Sequence, residues 1–289
     1  MLSAMRLDLP AELESLRERI EASVAPCVLL HPEPDPHGHV RTRLGGAPLL
    51  DPTAEWPRSD RGPLSFVGQL DFRELRAAHR GELPLPDDGI LTFFYDVEEQ
   101  PWGYDPAQAS GFALLYAPDP ARAIEVEIPD GAIPFDAEPL AATPAISIPW
   151  PGDHAIASWD REDRALGERP PWERAYARFA EHFVLTQGGG IPALRQQVGG
   201  HPQWLQSDGR MTAELASSGV HAGGDPRAWR SADLRRAEAE IERWTVLWQL
   251  KPEDDRFTWV DLGTLYVLIR DEDLRSRRFD RAWVVFQST

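Results

Sequence analysis

A chain of 289 residues, 42% hydrophobic and 27% charged, is long enough to bury a large core, and none of its apolar runs reaches the roughly 18–20 residues that cross a bilayer. Its 47 acidic and 30 basic residues leave a formal net charge of −17, which repels polyanions and anionic membranes and argues against nucleic acid as a partner; a basic protein is the class this field attracts, and acidity that merely keeps the chain soluble is the plainer reading. A lone cysteine, Cys27, excludes an internal disulfide, and no basic-then-apolar leader opens the chain, so a reducing, cytoplasmic setting is expected.

The first expected element is a helix over 8–25. Pro10 suits its first turn, Leu13, Leu16, Ile20 and Val24 form one apolar stripe, and Pro26 ends it. A Pro- and His-rich loop from His31 to His39 follows. Residues 64–70 alternate apolar and polar and predict a strand. Asp71 and Glu74 have capping-box spacing, predicting a short helix to His79 with Gly81 as its stop. Strands are expected at 90–95 and 111–116, a half-exposed one around Ile124, Val126 and Ile128, and a short one at 145–148. In the middle, Trp172, Tyr176, Phe179 and Phe183 share a helical face that Gly188, Gly189 and Gly190 terminate. A further helix starts at Ser231 and carries Leu234, Ala237, Ile241 and Trp244. Strands return at 246–250, 264–269 and 282–286.

The two ends of the chain repeat one plan. Gly45-Gly46-Ala47-Pro48 parallels Gly199-Gly200-His201-Pro202, and Phe66-Val67-Gly68-Gln69-Leu70 parallels Val246-Leu247-Trp248-Gln249-Leu250. Residues 89–94 parallel 263–268, and 111–116 parallel 281–286. The fold class expected is α+β: two related β-rich halves, an internal duplication, forming one domain with peripheral helices. The first pseudo-repeat covers about 40–150, and a helical connection and the second cover about 170–289. Gln69 and Gln249 occupy matching strand positions. Buried, each amide must find partners, which favours a structural role; facing a groove, each would touch a ligand.

The same residues carry a resemblance. Gly45-Gly46-x-Pro48, Trp56-Pro57, Phe66-x-Gly68-Gln69-Leu70 and Phe93-Phe94-Tyr95, then Gly199-Gly200-x-Pro202, Gln206 with Asp208, Leu247-x-Gln249-Leu250 and Gly263-x-Leu265-Tyr266, resemble the YwqG-like family, a bacterial domain of unknown function, over roughly residues 40–289. The resemblance implies a mixed α/β fold with a duplicated β-rich core and transfers no mechanism. Some members lie beside secreted-toxin genes, which implies an immunity-type role. The Pro-rich stretch 129–151 is longer than the family pattern.

No catalytic motif stands out. There is no Gly-x-Ser-x-Gly elbow, Gly188-Gly189-Gly190 lacks the Lys-Ser/Thr of a phosphate loop, and no GxGxxG opens a helix. Cys27, His31, His37 and His39 are competent metal ligands, but their spacing matches no closed finger, so no metal is assigned; His31, His37 and His39 are the residues a metal would use. Asp153, Asp160, Glu162 and Asp163 cluster around His154 and Trp159, the basis of an alternative reading as a hydrolase working in a cleft between the halves. No cofactor or catalytic residue is assigned. The residues expected to meet a ligand or partner are Gln69, Tyr95, Trp102, Trp204, Gln206, Asp208 and Gln249.

Overall fold

The period-two pattern at 64–70 and the short apolar runs at 90–95 and 111–116 produce an antiparallel meander, β6 (Ser65–Asp71), β7 (Ile90–Tyr95) and β8 (Phe112–Ala117), and similar short apolar runs near the C-terminus produce β12 (Trp244–Leu250), β13 (Thr264–Arg270) and β14 (Trp283–Gln287). The computed structural model describes residues 6–34, 38–79, 83–157, 159, 171–186, 196–223, 230–251 and 263–288. The stop at Gly81, the stop at Gly188–Gly190, His37, and Asp160, Glu162 and Asp163 lie outside the described residues. β6 and β12 each carry an irregularity at the same place in the pattern, between Phe66 and Gly68 and between Val246 and Trp248. Every residue of β6 and β7 is buried, so both faces of this part of the sheet are covered.

Between the two meanders run β1 (Ala25–Pro32), β2 (Arg43–Leu44), β10 (Glu138–Ser147) and β11 (Gln196–Val198), giving a ten-stranded sheet ordered β14-β13-β12-β11-β1-β10-β2-β6-β7-β8. This corrects the sequence reading twice. Residues 25–32 are a strand and not a helix end running into a loop, and the Pro-rich stretch supplies a ten-residue central strand in place of a short one at 145–148. Proline is tolerated because of ladder parity. Leu140 N–H bonds Thr42 on the β2 side, so Pro144, four residues on, also turns its missing donor away from β1. Pro26 and Pro32 face β11, on either side of the residues 28–30 with which β11 pairs.

The N-terminal helix is shorter than its apolar stripe implies: a 3₁₀ segment, Ala11–Leu16, leads into α1 (Arg17–Ala22). Asp71 caps α2 (Phe72–Ala78) by accepting from the N–H groups of Arg73 and Glu74, but the expected reciprocal bond is absent among the described residues. Glu74 instead turns to the sheet, accepting from Arg41 and Thr42 N–H, each at 2.8 Å. The pattern around Ile124 yields two residues of strand, β9 (Ile124–Glu125), pairing with β3 (Leu49–Leu50); β4 (Arg58–Ser59) and β5 (Gly62–Pro63) form a small hairpin. After α3 (His154–Ala157), α4 (Glu173–Thr186) presents Tyr176 and Phe183 to Leu13, Leu16, Ile20 and Ile156, a secondary core outside the sheet. α5 (Gly209–Ser217) went unread in the sequence. α6 (Ser231–Glu240) ends before Trp244, which opens β12 instead of extending the helical stripe. α7 (Asp271–Arg275) follows β13.

The sheet curls until it is nearly closed. Its principal core draws side chains from both meanders, among them Leu70, Leu91, Phe93, Trp248, Val267 and Val284. Phe112 of β8 meets Trp283 of β14 edge to face at 5.2 Å, and Phe72 stacks on Phe279 at 5.8 Å. The Trp248 ring, contributed by β12, lies over Gly68 of β6, where an added Cβ would come within 3.0 Å of its Cη2 atom.

Candidate functional site

Gln69 and Gln249 are both buried, and each clamps a crossing loop. The residue after each Gly-Gly-x-Pro has its N–H accepted by the strand glutamine: Leu49 by Gln69 Oε1 at 2.9 Å, Gln203 by Gln249 Oε1 at 2.7 Å. The carbonyl of the same residue is bound from the next strand, by Thr92 Oγ1 at 3.3 Å and by the Tyr266 hydroxyl at 2.6 Å. Gly45 N–H donates to the carbonyl of Val67 and Gly199 N–H to that of Leu247, and all four glycines of the two loops have positive φ, as such turns require. Arg43 and Gln197 donate to the carbonyls of Ala47 and His201, again at matching positions. Gln69 completes its amide by donating to Arg41 C=O at 2.8 Å. In the second half a third clamp, Gln287 of β14, accepts from Leu205 and Gln206 N–H and donates to Ser207 C=O.

The chain that these clamps pin ends in a buried ionic group. Asp208 caps α5 by accepting from Arg210 N–H, and its other oxygen accepts from His154 N–H and the Arg210 guanidinium. Arg210 also bonds Asp153 at 3.1 Å, and Asp153, whose side chain is 0% exposed, accepts from Trp204 Nε1 at 3.3 Å. Burial by itself would raise the Asp153 carboxyl; the Arg210 guanidinium and the Ala155 N–H outweigh it and hold the group below the usual carboxylate range. The Trp204 ring packs on Tyr266 at 4.6 Å, with Arg210 over its face. His201 Nε2 lies 2.7 Å from Ser23 C=O, a pure acceptor, so the proton sits on Nε2, and Nδ1 is left buried without a partner among the described residues. Burial lowers the His201 imidazole below its ordinary value, with the nearby Asp153 opposing the shift in part.

The remaining expected residues gather at the seam where the sheet ends meet. The Tyr95 hydroxyl, buried, donates to Pro101 C=O at 2.8 Å. Trp102 takes Phe286 N–H on its carbonyl and sets its ring edge-on to Phe286 at 4.8 Å. Gly103, at φ +78, accepts from Trp283 Nε1; a Cβ there would lie 2.0 Å from Val284 C=O. Tyr104 stacks on Trp102 at 5.9 Å and 27° and takes Ala222 N–H on its carbonyl. Trp102 and Tyr104 stay half-buried. Around them stand Gln206, whose Oε1 is 3.4 Å from the Tyr104 hydroxyl, and Asp105, whose Oδ2 is 3.8 Å from His221 Nε2. Tyr95, Trp102 and Gln206 thus share one neighbourhood, Trp204 and Asp208 sit along the adjoining loop, which Gln249 clamps from β12, and Gln69 lies in the other half.

Among the described residues no group of three or more His, Cys, Asp or Glu could hold a metal ion. His31 sits on β1 with Nε2 at 3.0 Å from Thr143 Oγ1. Cys27 is buried, and desolvation pushes its thiol up to about 12, leaving a poor nucleophile. Arg210, Gln287, Tyr104 and Asp105 went unread in the sequence. An Asp at the head of a helix-forming run is a usable cap signal at Asp208, but the Asp153 partner of Arg210, 57 residues away, has no local signature.

The family model for a domain of unknown function, DUF1963, matches residues 42–288, and the chain belongs to that family. No curated protein matches it.

Proposed function

We propose that this DUF1963 member is a binding protein of the YwqG-like type, built as one domain by internal duplication, that works in the cytoplasm by neutralising a basic protein partner in the manner of an immunity protein. The repeated clamp of Gly-Gly-x-Pro loop, strand glutamine and next-strand hydroxyl supports the duplication, since four matching contacts recur in the same order. The observation that carries the binding reading is the seam: a half-buried aromatic pair on a backbone held by four hydrogen bonds, in a chain of net charge −17. A rigid aromatic surface binds at low entropic cost, and the acidic field raises the encounter rate with cations. Of the carboxylates behind the hydrolase alternative, Asp153 already accepts from Arg210, Trp204 and Ala155, and Asp160, Glu162 and Asp163 lie outside the described residues.

The test is binding of a set of small proteins graded in isoelectric point, by interferometry at low and at physiological salt. Basic members bind, and the affinity falls as salt rises. Equal binding of basic and acidic members would remove the basis of the reading.

A further inference from the structure

We propose that the Trp102–Tyr104 ledge is the contact point for an arginine side chain of the partner, with Asp105 as its counter-charge; this rests on the binding reading above. Three properties combine there. The two rings are near-parallel, at 27°, and offer aromatic surface to a planar cation, which a guanidinium matches better than a compact ammonium. The segment does not adjust: Pro101, Trp102, Gly103 and Tyr104 each give their carbonyl to a separate hydrogen bond, from Tyr95, Phe286, Trp283 and Ala222. The ledge therefore reaches its binding geometry before the partner arrives.

The third property is the carboxylate. Asp105 Oδ1 is spent on capping the following 3₁₀ turn through Ala107 N–H at 2.9 Å, while Oδ2 has a loose neighbour in His221 at 3.8 Å, with both side chains about half exposed at 45% and 60%. Oδ2 is thus available to a guanidinium lying on the Tyr104 ring. Gln206 Oε1, 3.4 Å from the Tyr104 hydroxyl, places a further acceptor at the end of that ring, and its amide nitrogen is held by Ser288 C=O at 2.8 Å. Acceptors beside an aromatic face, with local charge supplied by Asp105, form a receptor for a donor-rich planar cation. A lysine would gain the charge term but little of the stacking.

The experiment is calorimetric titration of the full chain with an oligoarginine peptide and with an oligolysine of equal length. The chain is tested as wild type and as Tyr104→Leu, Asp105→Asn and Gln206→Ala. Asparagine also caps helices, so Asp105→Asn removes charge and keeps the turn. The expected result is tighter binding of oligoarginine than of oligolysine by wild type. Tyr104→Leu should weaken oligoarginine by roughly two- to fivefold and abolish the preference, as loss of an exposed cation–π contact implies. Asp105→Asn should weaken both peptides. Unchanged oligoarginine binding in Tyr104→Leu and Asp105→Asn, with wild-type thermal melts, overturns the ledge while leaving the binding reading intact. If wild type binds neither peptide, both fall. Should Tyr104→Leu fail to fold, Asp105→Asn and Gln206→Ala decide, since neither removes buried packing.

Discussion

Replacing Gln69 by leucine tests the clamp directly. Gln69 is fully buried and makes two well-formed bonds, accepting from Leu49 N–H at 2.9 Å and donating to Arg41 C=O at 2.8 Å. Leucine has nearly the same volume and satisfies neither group. Two stranded backbone groups cost about 1–3 kcal/mol each. Leu49 and Arg41 are only half-buried, so water relieves part of that, and the leucine gains some transfer energy; the net expected loss is about 2–4 kcal/mol. Urea unfolding followed by far-ultraviolet circular dichroism should show a lower midpoint at unchanged slope. Gln69→Glu adds a sharper readout. Arg41 C=O can be satisfied only by a protonated carboxyl, so the folded pKa of the introduced acid rises above its unfolded value of about 4.3. The native state then binds the extra proton, and relative to wild type the variant gains stability as pH falls through the raised pKa. A loss under about 0.5 kcal/mol for Gln69→Leu, within the range of ordinary surface changes, together with a pH-independent Gln69→Glu, would refute the reasoning.

Three further outcomes follow from the buried groups. Asp153→Ala leaves Arg210 without its most buried partner and should cost about 3–5 kcal/mol in the same urea assay, as breaking a buried pair does. His201 is held neutral with a lowered folded pKa, so the native state binds fewer protons than the unfolded chain; stability should fall as pH drops below the unfolded value of about 6.5, and His201→Gln should flatten that limb relative to wild type. Cys27 should resist alkylation in the native protein at mildly alkaline pH and react fully in denaturant, read by mass spectrometry.

The meanders were legible because their strands are short apolar runs rich in β-branched and aromatic residues and bracketed by turns: 90–95 matches β7 residue for residue. The central pair β1–β10 was not, since Pro26, Pro32 and Pro144 weigh against a strand, and what makes them harmless is which neighbour each faces, a property of register between residues over 100 positions apart. Trp244 fitted a helical stripe, yet cross-strand pairing with Arg270 overrides that local preference. At the site, Gln69 and Gln249 were recognisable as a matched pair from their strand context. The Asp153–Arg210–Asp208 group and the Tyr104–Asp105 ledge depend on loops meeting in space, and the seam forms because the two ends of the sheet come together through side chains such as Phe112 and Trp283.

Closure has a consequence for how interchangeable the two meanders are. Gly68 and Trp248 occupy equivalent places in the pattern, and the indole of one stands, with Arg43 C=O and Leu44, against the place where the other lacks a side chain. Two copies of the first meander would leave a hole of indole size at that meeting point; two copies of the second would drive two indoles into the same space. At this point of the nearly closed sheet each meander is therefore fitted to the other and not to a copy of itself, a match of bulk to void and not of charge to charge.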